Sequence, residues 1–334
     1  MYSRIENNQK YRVIIYGPGA IGGSIGGHLA LSGTEVILIG RSGHIKKITE
    51  NGLRLVTPTG THNPKITALT SPKQINFSAN DVVFLCVKSQ DTEGALRELQ
   101  AVNKDVPVFC FQNGVRNEET ATGYFPRVYG VMVRIGGEYV TDGEITVRRD
   151  PPGWVIIGKY PRGTDSLAGT IAMQMRKAGF HALVTPEVMP YKWGKLMSNL
   201  ANAIGAITNA KWEETRPIVQ AAQDEAKNIL SLAGIYWISQ EELERQWAEM
   251  TEKPRNVITT ESQSSTWQSL ARKRGSVETE YLNGEIARLA KRTGKSAPVN
   301  EALIRISGEM AAKREVPGKY SAGDLKDLLG LAGK

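Results

Sequence analysis

Cysteine is nearly absent: 334 residues contain only Cys86 and Cys110, each inside an apolar run. So few thiols exclude a disulfide framework and suit a reducing compartment. Both read as small core residues of buried strands. Histidine is almost as scarce. His28, His44, His62 and His181 stand singly, without metal-ligand spacing, so no metal is expected. No apolar run reaches the eighteen residues of a membrane span. The stretch from Met1 to Asn8 is polar and lacks the apolar segment of a secretory signal. These absences lead to the expectation of a cytoplasmic globular protein with no membrane partner. Internal repeats and low-complexity tracts are also missing.

What is present describes a sizeable core. Hydrophobic residues make up 40% of the chain, and the length accommodates two domains. The formal net charge of +8 suits an anionic cofactor or substrate. The basic residues are spread out, and the densest cluster, Arg272-Lys273-Arg274, reads as a solvated loop. No nucleic-acid-binding signature accompanies the charge, so nucleic acid is not expected as a partner.

Strand and helix signals alternate through the first half. Tyr11–Tyr16, Glu35–Ile39, Val82–Val87 and Val106–Phe111 read as strands, with helices over Ala20–Leu31, Ile45–Glu50 and Thr92–Leu99. Continuously apolar strands interleaved with helices predict a parallel sheet covered on both faces. From Arg127 to Gly158 strands and turns dominate. A helix over Ser166–Lys177 and a strand over His181–Val184 follow. After Pro186 strand signals nearly vanish. Helical periodicity covers Tyr191–Ile207, Ile218–Leu232, Gln240–Met250, Thr279–Thr293 and Asn300–Arg314. The expected fold is α/β: a doubly wound sheet over residues 1–186, then an all-helical domain over 187–334.

The clearest motif is Gly17-Pro18-Gly19-Ala20-Ile21-Gly22, lying between a strand and a helix. In that position the first glycine permits a tight turn and the second admits a pyrophosphate. The third lets the helix pack on the strand, which is the Rossmann dinucleotide fingerprint. The second strand ends in Ile39-Gly40-Arg41-Ser42. NAD-binding chains carry an acid there for the ribose. An arginine instead suits the 2′-phosphate of NADP(H).

In the helical half, Lys195, Asn199 and Asn202 fall within roughly 60° of one another at about 100° per residue. Such a stripe fits a cleft in which the lysine protonates a carbonyl oxygen while hydride adds to the carbon. A solvent-facing stripe would show the same pattern. Ser264-Ser265 and Glu278 form a second polar set. A carboxylate near the lysine would keep it charged, though Glu278 also reads as an ordinary acid in the first turn of a helix.

Taken together, these pieces resemble the ketopantoate reductase family from about Arg12 to Ile306. The matching segments are the glycine loop with Arg41, Val87-Lys88 and Gln112-Asn113-Gly114 at strand ends, and Lys195-Leu196-x-x-Asn199. Ser264-Ser265, the run Glu278-Thr279-Glu280-Tyr281-Leu282-Asn283-Gly284 and Pro298-x-Asn300 follow in order. The resemblance implies NADPH-dependent reduction of 2-dehydropantoate, an anionic 2-oxo acid, to pantoate on the route to pantothenate and coenzyme A. It implies a Rossmann domain followed by a helical domain like the C-terminal one of 6-phosphogluconate dehydrogenase.

By the same resemblance Lys195 is the general acid, assisted by Glu278. Asn113, Asn199 and Ser265 bind substrate, Ser262 stands where the family has a substrate-contacting asparagine, and Asn202 joins them by its place on the helix stripe. Gly17, Gly19, Ala20, Ile21, Gly22, Arg41, Lys88 and Asn113 bind NADP(H). The chain departs from the family pattern at Ser262, at Thr266-Trp267-Gln268-Ser269, at Ala203 and at Arg148-Arg149, changes expected on the substrate side, with the bulky Trp267 reshaping the pocket. These departures keep two other readings open: a paralogue reducing another 2-oxo acid or carbonyl compound, and a non-catalytic NADP(H) sensor. A homodimer is the default assembly.

Overall fold

The computed structural model describes residues 10–250, 256–257 and 263–331. They form two compact units. The first holds the described residues within Met1–Gln112, Arg116–Met189 and Arg245–Thr260. The second holds those within Asn113–Val115, Pro190–Glu244 and Glu261–Lys334.

The strands in chain order are β1 Arg12–Tyr16, β2 Val36–Ile39, β3 Arg54–Thr57, β4 Gly60–His62, β5 Thr67–Leu69, β6 Asp81–Leu85 and β7 Val108–Cys110. They continue with β8 Val128–Ile135, β9 Gly137–Glu138, β10 Glu144–Val147, β11 Arg149–Asp150, β12 Gly153–Lys159, β13 His181–Val184 and β14 Asn256–Val257. The main sheet has the order β13-β12-β8-β7-β6-β1-β2-β5. All its neighbours are parallel except β8 and β12. That reversal has a cause. After β8 the chain leaves to build β9, β10 and β11, then returns beside β8 in the opposite direction. The helix Ser166–Lys177 carries it over to β13, restoring the parallel sense.

Helices α1 Ala20–Leu31, α2 Ser42–Asn51, α3 Thr92–Gln100, α4 Asn117–Thr122 and α5 Ser166–Lys177 flank the sheet. Alternation along β1 divides the core. Val13 and Ile15 pack with Ile25 and Leu29 of α1 and with Ile171 and Met175 of α5. Ile14 and Tyr16 pack with Leu96 and Leu99 of α3. Every residue of β6 is buried. Burial on both faces is why these strands read as unbroken apolar runs. A smaller sheet, β4-β3-β10-β9, lies over α1.

The second unit is helical, built from α6 Val188–Asn199, α7 Ala201–Thr208, α8 Trp212–Leu232, α9 Gln240–Met250, α10 Ser265–Ala271, α11 Asn283–Arg292, α12 Pro298–Ala312 and α13 Ala322–Leu328, except that the start of α6 and the end of α9, from Arg245, fall in the first. Its core joins Ile204 and Ile207 to Ile218, Ala222, Leu303 and Ile306. No helix among the described residues is long and apolar enough to cross a membrane.

Phe109 stacks on Tyr129 at 4.2 Å between ring centroids and is fully buried. Phe109→Ala should lower the stability of the first unit by about 3–5 kcal/mol, read as a shift in its urea unfolding transition.

Candidate functional site

Three adjacent strands, β6, β1 and β2, bring distant segments to one edge of the sheet. The glycine loop leaves β1, Arg41 follows β2 and Lys88 follows β6. Carboxyl ends of parallel strands are where such sheets bind ligands. Gly17 has φ +96°, and a Cβ there would stand 2.7 Å from the Val87 nitrogen. A Cβ on Gly22 would stand 2.3 Å from the Gly17 carbonyl oxygen. Those two glycines serve close backbone approach. Gly19 differs, since its nearest neighbour would be Tyr139 Cδ1 at 3.8 Å.

Gly19 is also the N-cap of α1. It offers no side chain to the first turn, and that turn holds no acid. The amides of Ala20, Ile21 and Gly22 therefore have no intrahelical acceptor. With the positive end of the helix dipole and open space at Gly19, they form a seat for an anion.

Arg41 is exposed, its Nη2 3.3 Å from Asp91 Oδ2. Exposed pairs of this kind are weak, so the guanidinium is open to a stronger anion. Lys88 is half-buried just before the turn Ser89–Asp91. The Gln112 amide secures that strand end, donating to the Val87 carbonyl at 2.9 Å and to Thr92 Oγ1 at 2.7 Å.

In the second unit the expected helix over Tyr191–Ile207 is assigned as two, α6 and α7, meeting at Leu200. Leu200 keeps helical angles, φ −58° and ψ −27°, and its N–H bonds to the Leu196 carbonyl at 3.1 Å. The stripe of Lys195, Asn199 and Asn202 is therefore preserved. It is not a plain solvent face: Asn199 is 5% exposed, and Lys192, one turn before the half-buried Lys195, is 3% exposed. Asn199 Nδ2 donates to Asn113 Oδ1 at 3.2 Å, joining two candidate residues 86 positions apart. Gly194 is required locally, because a Cβ there would stand 2.0 Å from the Ile238 carbonyl oxygen.

Ser264 caps α10 by accepting from the Trp267 N–H at 3.2 Å, and its hydroxyl lies 3.4 Å from the Asn202 carbonyl. The next residue, Ser265, has a buried Oγ with no hydrogen-bond partner among the described residues. A buried hydroxyl without a bond carries a desolvation cost. Glu278 is buried and opens a 3₁₀ turn, Glu278–Tyr281, rather than the α-helix expected from Thr279 onward. Ser262 lies outside the described residues.

Some expectations change. Trp267 does not stand free to reshape a pocket: its ring packs on the helical core and Nε1 donates to Asn209 Oδ1 at 3.0 Å. Arg148 and Arg149 have different surroundings. Arg148 pairs with Glu138 at 2.7 Å, and Arg149 lines a surface cavity with His28, His62 and Lys177. His28 belongs to the last turn of the 12-residue α1, which is about 18 Å long and has the glycine loop at its other end.

Asn283 and Asn300 are structural. Asn283 Nδ2 donates to Asn300 Oδ1 at 2.9 Å and to the Leu200 carbonyl at 3.3 Å. Asn300 Nδ2 donates to Glu225 at 2.7 Å, and the same carboxylate accepts the first amides of α12. Missing from the sequence reading was the group around the loop itself, His44 and Tyr139. Only the burial of His44 reveals it.

With the geometry in place, comparison with known proteins is informative. The family model described as ketopantoate reductase PanE/ApbA matches residues 13–162, and its C-terminal companion matches residues 187–311. A 2-dehydropantoate 2-reductase of Pyrococcus horikoshii is 30% identical over 297 residues, covering 86% of this chain and 94% of that protein. One from Archaeoglobus fulgidus is 28% identical, covering 88% and 96%. Among solved structures, a PanE/ApbA family ketopantoate reductase from Ralstonia eutropha JMP134 is 30% identical with a TM-score of 0.76, covering 91% and 99%. A D-mandelate dehydrogenase solved with NADH and anilino(oxo)acetate shares the fold at a TM-score of 0.76 and 19% identity, covering 91% and 99%.

The glycines separate fold from binding. Gly22→Ala should destabilise the first unit by about 1–3 kcal/mol through overpacking, read by thermal or urea unfolding. Gly19→Ala should leave the unfolding transition nearly unchanged. It should weaken nicotinamide dinucleotide binding by about tenfold or more in a fluorescence titration.

Proposed function

Because the chain belongs to the ketopantoate reductase family, and is thus an oxidoreductase of CH–OH groups with a nicotinamide cofactor, we propose that it reduces 2-dehydropantoate to pantoate with NADPH. Residues 1–186 hold the dinucleotide, and residues 187–334 carry the groups that act on the substrate. The observation that carries this reading is the polar stripe of α6: half-buried Lys195 one turn from buried Asn199, whose amide is bonded to Asn113. It supports a binding place for a small polar substrate next to a proton donor.

The bound nicotinamide supplies the hydride to the carbonyl carbon. Lys195, as its ammonium, gives the proton to the carbonyl oxygen, so ketone, hydride and proton become the alcohol. Glu278, buried at the start of its 3₁₀ turn, assists that lysine by the family pattern. Asn199, Asn113 and Ser265, whose buried hydroxyl has no partner among the described residues, orient the substrate through hydrogen bonds, with Asn202 and, by the family pattern, Ser262 as further substrate contacts. Gly17, Gly19, Ala20, Ile21 and Gly22 seat the pyrophosphate. Lys88 and Arg41 meet the adenosine side, where an arginine in place of an acid favours the 2′-phosphate.

The test is NADPH oxidation, followed by the nicotinamide absorbance, with 2-dehydropantoate beside a panel of other 2-oxo acids. A kcat/KM for 2-dehydropantoate at least about tenfold above the panel is expected. Preference for another acid overturns the substrate assignment. Lys195→Ala should lower kcat by about 10²–10⁴-fold while leaving the NADPH dissociation constant nearly unchanged. Arg41→Ala should weaken NADPH by about ten- to a hundredfold and leave NADH nearly unaffected. An unchanged NADPH to NADH ratio in that variant would exclude the 2′-phosphate role.

A further inference from the structure

The glycine loop is tied from outside by a histidine that the reaction does not use. His44, in the first turn of α2, is 3% exposed. Its Nε2 lies 2.9 Å from the Pro18 carbonyl oxygen, inside the loop. Its Nδ1 lies 2.8 Å from the Gly143 nitrogen, 99 residues away, at the turn before β10. A backbone N–H only donates and a carbonyl only accepts. The two contacts therefore require one tautomer, with the proton on Nε2 and a bare Nδ1. Tyr139 braces the ring, with centroids 4.5 Å apart, and its hydroxyl donates to Asp142 in the same turn. Tyr139 Cδ1 is also the nearest atom to the open position over Gly19.

We propose that His44 is a positioning residue for the cofactor: it orients the Pro18–Gly19 peptide so that the amides of α1, not a carbonyl, face the pyrophosphate. The peptide plane supplies the mechanism. The Pro18 C=O and the Gly19 N–H point in opposite directions across one planar trans unit. Holding the carbonyl on His44 aims the Gly19 N–H at the Gly17 carbonyl, where it bonds at 2.8 Å. Gly19 then enters α1 as its N-cap. Without the imidazole donor, the Pro18 carbonyl is a buried acceptor missing a bond. Released from α2, it would rotate toward the unpaired first-turn amides of α1. A carbonyl dipole turned that way repels phosphate. The role is thus one of binding, exerted through the loop, and His44 touches neither hydride nor substrate.

The inference rests on a nicotinamide dinucleotide seated at the glycine loop, so wild-type titration with NADPH and with NADH is the control. Binding of neither defeats that reading, and His44 with it. In the full chain, His44→Ala is expected to raise the KM for NADPH by about tenfold or more. Its kcat at saturating NADPH should stay within about threefold of wild type. His44→Gln keeps an amide donor for Pro18 and an amide oxygen for Gly143, and should recover most of the loss. An alanine variant that folds and shows an unchanged KM overturns the proposal, as does one that loses kcat alone. If the alanine variant does not fold, the glutamine variant decides. A KM within about threefold of wild type supports the positioning role, and a tenfold rise at unchanged thermal stability overturns it.

Discussion

Much of the first unit depends on one close approach of backbone to backbone. Between the start of the glycine loop and the strand end at Val87 there is no room for a methyl group, and the Gly17 N–H is held by the Ile39 carbonyl at 2.9 Å. That turn passes from β1 into α1 within four residues. It places the helix N-terminus over the carboxyl edge of the sheet, where Arg41 and Lys88 also emerge. The rest follows from packing: α1 lies flush on the sheet because Gly22 and Gly26 leave its inner face without side chains, while Gly23 does the same toward Ile145 of β10. A bulkier helix would stand off the sheet, and its amides would no longer reach a ligand at the strand ends.

The second unit answers with a different device, a buried amide network in place of backbone contact. Asn283 and Asn300 hold the Leu200 carbonyl at the junction of α6 and α7, next to Asn199. Glu225 closes the network by accepting amides at the start of α12. Buried polar groups tolerate no slack, because each missing partner costs about 1–3 kcal/mol. The network therefore fixes where α6 ends and, with it, where Asn199 meets Asn113. The residues that make the family recognisable in sequence are thus of two kinds. Lys195 and Asn199 are proposed to face the substrate, while Asn283 and Asn300 hold the helices that carry them.

Much of this was legible beforehand. The alternating apolar segments, the glycine loop before a helix and the change to helical periodicity after Pro186 all describe the architecture found. The stripe of Lys195, Asn199 and Asn202 was visible by spacing, although spacing does not tell a lined cleft from a wet face. Burial of Asn199 excludes the wet face. Other features were out of reach. His44 looked like one scattered histidine because its partners lie 26 and 99 residues away. Trp267 looked like an intruder near the substrate and instead closes the edge of the helical core. Arg148, read with Arg149 as one paired change, is matched to Glu138 on the small sheet.

What the sequence determined by itself is whatever depends on local chemistry: which segments are strands or helices, where glycine is needed, and that an arginine replaces an acid after β2. Those properties follow from backbone sterics, side-chain periodicity and charge, all of which act over a few residues. Only the tertiary structure decided which groups meet. It set the antiparallel return of β12, the Asn113–Asn199 bond and the histidine that holds the glycine loop. Each is a contact between segments far apart in the chain, and its geometry exists only once both segments are packed on a common core.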